Sequence, residues 1–259
     1  MVVQHNMAAS NANRQLGIST NTLSKSTEKL SSGYRINRAA DDAAGLSISE
    51  KMRSQIRGLN KASSNAQDGI SAIQTAEGAL NEAHSILQRM NELATQSAND
   101  TNTTADRTAV QSEVNALTNE LSRIASTSQF NTQNLLDGTF TGKNLQVGAL
   151  ENQKITISIG TMNAKALGVD SLNVKSFSRA GSAMTLIQKA ISKVSGQRSD
   201  LGALQNRLEH TVNNLDNISE NTQTAESRIR DTDMASEMVQ YSATSIIQQA
   251  GQSMLAQAN

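Results

Sequence analysis

Apolar residues recur every seven positions in two long stretches of the chain, a spacing typical of helices that pack along a partner helix. The first column is Leu59, Ala66, Ile73, Leu80, Leu87 and Ala94. The second is apolar at six of its seven positions, with Thr222 as the exception: Ile187, Val194, Leu201, Leu208, Leu215, Thr222 and Ile229. The stretches 52–99 and 182–229 have nearly equal lengths, and each predicts a helix of roughly 70 Å. We therefore expect a mainly α fold, an elongated rod in which long antiparallel helices pack side by side.

A shorter helix and a β-hairpin are predicted between the two long helices. The helix is indicated by alternate spacings of four and three between Val110, Val114, Leu117, Leu121 and Ile124. The polar run 99–104 before it predicts a turn. Within about 130–175, Ile155, Ile157 and Ile159 alternate with polar residues, which is typical of a strand. We expect a small hairpin segment that packs on the helices.

Both ends of the chain carry helical patterns with thin apolar seams. At the N-terminal end the column is Ala9, Leu16, Leu23 and Leu30, and the stripe at the other end includes Val239, Ile246 and Leu255. No charged residue occurs in 238–259. Because a helix stabilised by so few apolar contacts is marginal alone, we expect the ends to fold only against neighbouring copies. The alternative is a frayed pair of disordered tails.

Composition excludes several classes of protein. The chain has 259 residues, zero formal net charge, no Cys, no Trp and five aromatic residues. It therefore lacks the basic face and the stacking side chains of a nucleic-acid binder, and no apolar run is long enough for a transmembrane helix. His5, His84 and His210 are not spaced as ligands. We expect no catalytic, cofactor or metal site, and no nucleic-acid or membrane partner.

Several ordered blocks of the sequence resemble bacterial flagellins. They are SSGYRINRAADDAAGLSISEKMRSQIRGL at 31–59, NAQDGISAIQTAEGALNE at 65–82, ELATQSAN at 92–99, QFNTQNLLDG at 129–138 and QQAGQSMLAQAN at 248–259. The resemblance implies a structural subunit of the flagellar filament, extracellular and exported without a cleaved signal peptide. Its implied partners are copies of itself, the flagellar type III export apparatus, an export chaperone, and the filament cap and hook-junction proteins.

The resemblance also implies a division of the chain into domains. Residues 1–45 and 231–259 would form the two halves of an inner coiled-coil domain, 46–180 a rod domain, and 181–230 its C-terminal helix. Arg35, Asp41 and Asp42 would lie in a spoke that contacts adjacent subunits. The assembly residues are then Leu16, Leu23, Leu30, Arg35, Asp41, Asp42, Val239, Ile246 and Leu255.

A host receptor is a further partner that the resemblance implies. In flagellins bound by the flagellin-sensing Toll-like receptor, the positions matching Arg89, Leu93 and Glu113 form the contact patch. A basic residue usually follows the Glu by about one helical turn, where this chain has Leu117. The same helix face would also pack against neighbouring subunits.

The chain departs from the family pattern at two places, and two alternative functions remain open. Only the segment 130–174 stands where many flagellins carry a large outer domain, and the family usually continues past the block at 248–259 to a Leu-rich end. One alternative is a hook–filament junction protein. The other is a receptor ligand or adhesin in which binding dominates. No sequence feature supports an enzyme.

Overall fold

The computed structural model describes residues 6–258 and is mainly α-helical, as the sequence predicts. Its elements are α1 (Met7–Ser32), α2 (Ala43–Ser97), α3 (Thr104–Thr127), β1 (Gln129–Phe130), β2 (Gln133–Asn134), β3 (Lys143–Gln146), β4 (Lys154–Ile157), α4 (Ala164–Leu167), α5 (Phe177–Arg230) and α6 (Met234–Ala258). The outermost positions of the predicted ranges 1–45 and 231–259 lie outside the described residues, as does His5.

The described residues form two compact units. The terminal unit contains residues 6–57 and 218–258, and the central unit contains residues 58–217. Both long helices contribute to both units, because α2 and α5 each extend across a unit boundary. The domain boundaries implied by the resemblance remain predictions.

The central unit is built around the parts of the two seven-spaced columns that lie within residues 58–217. Its largest fully buried side chains include Ile73, Leu80, Leu87, Leu121, Ile157, Ile187 and Leu201. Ser63 Oγ donates to Asp216 Oδ1 over 3.0 Å, and Arg198 pairs with Glu77 at 3.6 Å. Because the contacted position in α5 falls as the position in α2 rises, these helices run antiparallel in the central unit, as predicted.

The turn between α2 and α3 is fixed by a capping box. The Thr103 hydroxyl accepts from the Asp106 backbone N–H, and the Asp106 carboxylate accepts from the Thr103 backbone N–H. These bonds satisfy donors that the first turn of a helix leaves unpaired. The Thr103 hydroxyl also donates to Asp106 Oδ2 over 2.7 Å, and this bond makes the largest contribution to lowering the pKa of Asp106.

Two short antiparallel hairpins follow α3. The β3–β4 hairpin pairs Leu145 with Ile155, as the alternation of apolar residues predicts, whereas the β1–β2 hairpin was not predicted. Glycines in α2 let the larger hairpin lie close to that helix. A Cβ at Gly58 would come within 2.8 Å of Ala149 Cβ, and one at Gly69 would collide with the Leu145 side chain.

We expect Leu80→Ala to lower the free energy of unfolding by about 2–5 kcal/mol, because it removes a fully buried side chain from the central core. Urea unfolding followed by circular dichroism measures this change. The matched control is Asn81→Ala at the neighbouring exposed position of α2, with an expected change within about 0.5 kcal/mol. Equal effects of the two substitutions would contradict the assignment of Leu80 to the core.

Candidate functional site

The predicted assembly residues of the N-terminal end lie on the side of α1 that packs against α6. Leu16, Leu23 and Leu30 are half-buried there. Near one end of the pair, a Cβ at Gly251 would be 3.5 Å from Leu16 Cδ1. Gln248 donates to the Thr20 hydroxyl over 3.4 Å. The order of these contacts makes α1 and α6 an antiparallel pair.

An ion pair between Lys29 and Glu237 joins the other end of this helix pair. The Lys29 Nζ lies 3.5 Å from Glu237 Oε2, and the Glu237 side chain is largely buried. Lys29 lies in the last turn of α1 and Glu237 in the first turn of α6. Each charge therefore complements the partial charge of its own helix terminus. The ion pair between the two side chains holds α1 and α6 in register.

The half of α6 that faces away from α1 exposes large apolar side chains among uncharged polar ones. We call this surface the α6 outer face; its members are Met238, Val239, Ile246, Ile247 and Met254. Val239 is 71% exposed and Ile246 67% exposed. Leu255, which the sequence grouped with them, is half-buried. The predicted stripe therefore divides between two sides of the helix, and sequence reasoning missed Met238, Ile247 and Met254 as members of the outer face.

The spoke residue Arg35 binds the C-terminal end of α5. Its guanidinium donates to the Ile229 carbonyl through Nη2 at 2.6 Å and through Nε at 3.2 Å, and its backbone N–H donates to the Arg230 carbonyl. The last carbonyls of a helix lack partners within the helix. Arg35 supplies such partners and a favourable positive charge.

The two predicted spoke carboxylates hold the chain between α1 and α2. Asp41 accepts from the backbone N–H of Arg38 at 2.9 Å and from that of Asn37 at 3.2 Å. The first of these bonds makes the largest contribution to lowering the pKa of Asp41. Asp42 accepts from the Gly45 N–H at 2.8 Å, within the first turn of α2. Both carboxylates thus bind their own chain, and contact with another subunit remains a prediction.

Arg230, at the C-terminal end of α5, connects this helix to α2 and to the chain after α1. Sequence reasoning missed these contacts. Arg230 donates to Glu50 Oε1 over 2.8 Å, and its guanidinium lies 4.6 Å from the ring centroid of Tyr34. The hydrogen bond from Arg230 lowers the pKa of Glu50. The one sequence signal available was Tyr34, because aromatic residues are so rare in this chain.

Arg89 and Glu113, two of the three predicted receptor-binding residues, form an exposed ion pair between α2 and α3. Arg89 Nη2 lies 3.0 Å from Glu113 Oε1, and Nη1 lies 3.0 Å from Glu92 Oε2. These acceptors, Glu92 first and Glu113 second, raise the pKa of Arg89.

Leu93 does not share the surface of this ion pair. Its side chain is 2% exposed because it belongs to the core of the central unit, together with Met90 and Ala94. Direct contact between Leu93 and a receptor, which the resemblance implies, is therefore not available in the folded subunit. Leu117 is half-buried on α3.

Residues 6–258 contain no group of three or more His, Cys, Asp and Glu side chains that could hold a metal ion. Within the same range, no helix combines the length and the apolar character that crossing a bilayer requires.

Two family profiles match most of the chain. The profile described as the bacterial flagellin N-terminal helical region matches residues 3–141, and that of the bacterial flagellin C-terminal helical region matches residues 184–259.

Curated relatives match the whole chain. A flagellin of Halalkalibacterium halodurans is 55% identical over 261 residues, which cover 100% of this chain and 96% of the relative. The flagellar filament 33 kDa core protein of Treponema phagedenis is 50% identical, with the same coverage of both chains. A flagellin of Bacillus subtilis is 48% identical, again over 100% of this chain and 96% of its own length.

Solved structures have a similar fold. The crystal structure of Bacillus cereus flagellin superposes with a TM-score of 0.52 at 32% identity, covering 59% of this chain and 88% of that one. A putative flagellar hook-associated protein of Vibrio parahaemolyticus shares the fold alone, with a TM-score of 0.63 at 13% identity over 74% of this chain and 100% of that one. The two profiles and the full-length relatives together show that the chain belongs to the bacterial flagellin family, a family of structural subunits of the flagellar filament.

Proposed function

We propose that this flagellin assembles into the filament by coupled folding of its two ends, with the α6 outer face buried against neighbouring copies. The observation that carries the proposal is the distribution of apolar side chains on α6. One side of the helix packs on α1, and the half that faces away exposes five large apolar residues among uncharged polar ones. Exposed apolar surface of this kind marks a protein–protein contact.

Burial within the helix pair supports coupled folding. Among the described residues of α1 and α6, no apolar residue is buried; the buried ones are Ser26, Glu237 and Thr244. Ordering a helix costs conformational entropy that apolar burial must offset. Covering the outer face in a filament supplies the additional burial, so the ends become stable when subunits associate.

The absence of charge on the α6 outer face suits contacts between identical copies. No charged residue occurs from position 238 to the end of the chain. Like charges brought together in a homopolymer would repel, whereas Gln, Ser and apolar side chains pack without that cost. The central unit carries its own core and acts as the folded body that each subunit brings to the assembly.

The proposal includes export in an unfolded state. A chain whose ends gain their stability from assembly does not polymerise prematurely and is easier to unfold for transport. It leaves the cell through the flagellar type III apparatus, guided by an export chaperone. It then joins the extracellular filament beneath the cap, beyond the hook-junction proteins.

A second proposed role is recognition by the flagellin-sensing Toll-like receptor. The exposed ion pair of Arg89 and Glu113 favours it, because an arginine held by two carboxylates presents a fixed pattern of charge to a partner. Leu93 supports this surface indirectly, because its buried side chain packs α2 against the core beneath the ion pair. This surface also remains available for contacts between subunits.

We expect the amides of α1 and α6 to exchange rapidly with solvent in dilute monomer and to become protected in filaments. The physical reason is that assembly buries apolar surface that the pair alone leaves exposed. Hydrogen–deuterium exchange with peptide resolution measures both states, and α3 of the central unit is the internal control, protected in each. Protected terminal helices in the monomer would contradict coupled folding.

We expect Ile246→Asp to raise the critical concentration for seeded polymerisation at least about tenfold, because a carboxylate would replace an apolar side chain that assembly buries. Sedimentation of filaments grown from purified seeds measures it. Ile246→Leu is the matched control and should assemble like the parent protein. An unchanged critical concentration for the Asp variant would show that the α6 outer face is not a subunit contact.

We expect Arg89→Ala to raise the flagellin concentration for half-maximal receptor signalling about tenfold, since exposed arginines that a partner covers are frequent hot spots of interfaces. A reporter-cell assay with monomeric protein measures it. Arg123→Ala is the control, because Arg123 is an equally exposed arginine that pairs with Glu120 on α3. The same response from both variants would exclude the Arg89 surface as the receptor site.

A further inference from the structure

The methionines of this protein divide sharply by exposure. In the described chain, Met90 and Met162 are buried, and Met52 and Met184 are half-buried. The strongly exposed methionines all lie in the terminal helices α1 and α6: Met7, Met234, Met238 and Met254. Thioether sulfurs accessible to oxidants are therefore concentrated in the part of the chain that the proposed function assigns to assembly.

Two of these methionines belong to the α6 outer face itself. Met238 is 51% exposed and Met254 is 66% exposed, and they lie near opposite ends of the helix with Val239 and Ile246 between them. A methionine here is apolar and flexible, so it adapts to the surface of a neighbouring copy. Oxidation makes the same side chain polar and chiral.

The chemistry requires only hydrogen peroxide. The sulfur lone pair attacks one peroxide oxygen, so that an S–O bond forms while the O–O bond breaks. The departing hydroxide takes the proton of the transferred oxygen and becomes water. The thioether loses two electrons to give the sulfoxide, and the peroxide is reduced by the same two electrons.

We propose that Met238 and Met254 are oxidant-sensitive positions whose conversion to sulfoxides in the free subunit blocks its addition to the filament. The inference rests on the proposed function of the α6 outer face. Each sulfoxide oxygen would have to be desolvated in an uncharged contact beside Val239, Ile246 and Ile247, and a buried polar group without a partner is destabilising.

The methionine sulfurs of the central unit are less accessible to peroxide. Met90 is fully buried in its core, and the Met184 sulfur accepts a hydrogen bond from the Thr95 hydroxyl over 3.3 Å. Access to both sulfurs is restricted, so peroxide reaches the terminal methionines first. The oxidised subunit keeps its folded body and loses its competence to assemble.

The test treats purified monomer with hydrogen peroxide, removes the peroxide, and measures seeded polymerisation by sedimentation, with peptide mass mapping of each methionine. We expect sulfoxide at Met238 and Met254 before Met90 and Met184, and a critical concentration about tenfold higher than that of untreated protein. Treatment of the oxidised protein with methionine sulfoxide reductases should restore assembly, and this measurement needs no variant.

Variants identify which sulfurs matter. The double variant Met238→Leu/Met254→Leu should assemble equally well before and after peroxide. Met7→Leu is the control with matched exposure, because Met7 is 70% exposed but lies on α1. It should lose assembly on oxidation like the parent protein.

The outcomes separate this inference from the function on which it rests. Untreated monomer that fails to extend seeds overturns the proposed assembly itself. Monomer that extends seeds equally well with both methionines oxidised overturns the inference alone. Loss of assembly that the reductases do not reverse, or that the double variant shares, also overturns it.

Discussion

The packing of α1 against α6 is the constraint on which the rest of the terminal unit depends. Within one chain these helices cover only one side of each other, and their seam buries no large apolar side chain completely. Apolar side chains on the opposite side of α6 are therefore left in water, at a cost that burial would remove. This incomplete burial is the observation that supports the proposed folding of the ends on assembly.

Charged residues give the terminal unit its specificity where apolar packing is thin. Lys29 and Glu237 fix the register of α1 on α6, and Arg35 binds the last carbonyls of α5. Arg230 ties Glu50 and Tyr34 to the same helix end. Because these groups pair with helix termini and with each other, they hold the geometry of the joint without an extensive core.

The central unit follows the opposite principle. Its heptad columns, α3 and the hairpins bury a continuous core, and buried hydrogen bonds fasten its loops. Gln111 is one example, since its side chain donates to the Leu172 carbonyl and accepts from the Val174 N–H. Such bonds satisfy backbone groups that the loop before α5 brings into the core.

The sequence by itself determined the helices, the core columns and the larger hairpin, because spacings of seven and two directly reflect which side of a helix or strand is buried. Five ordered blocks of residues were enough to identify the family. Tertiary structure alone decided that Leu93 is buried while Arg89 pairs with Glu113, that Arg35 binds the end of α5, and that Leu255 is half-buried while Ile246 stays exposed. Periodicity describes one helix at a time, whereas these facts depend on which other helix lies beside it and at what register.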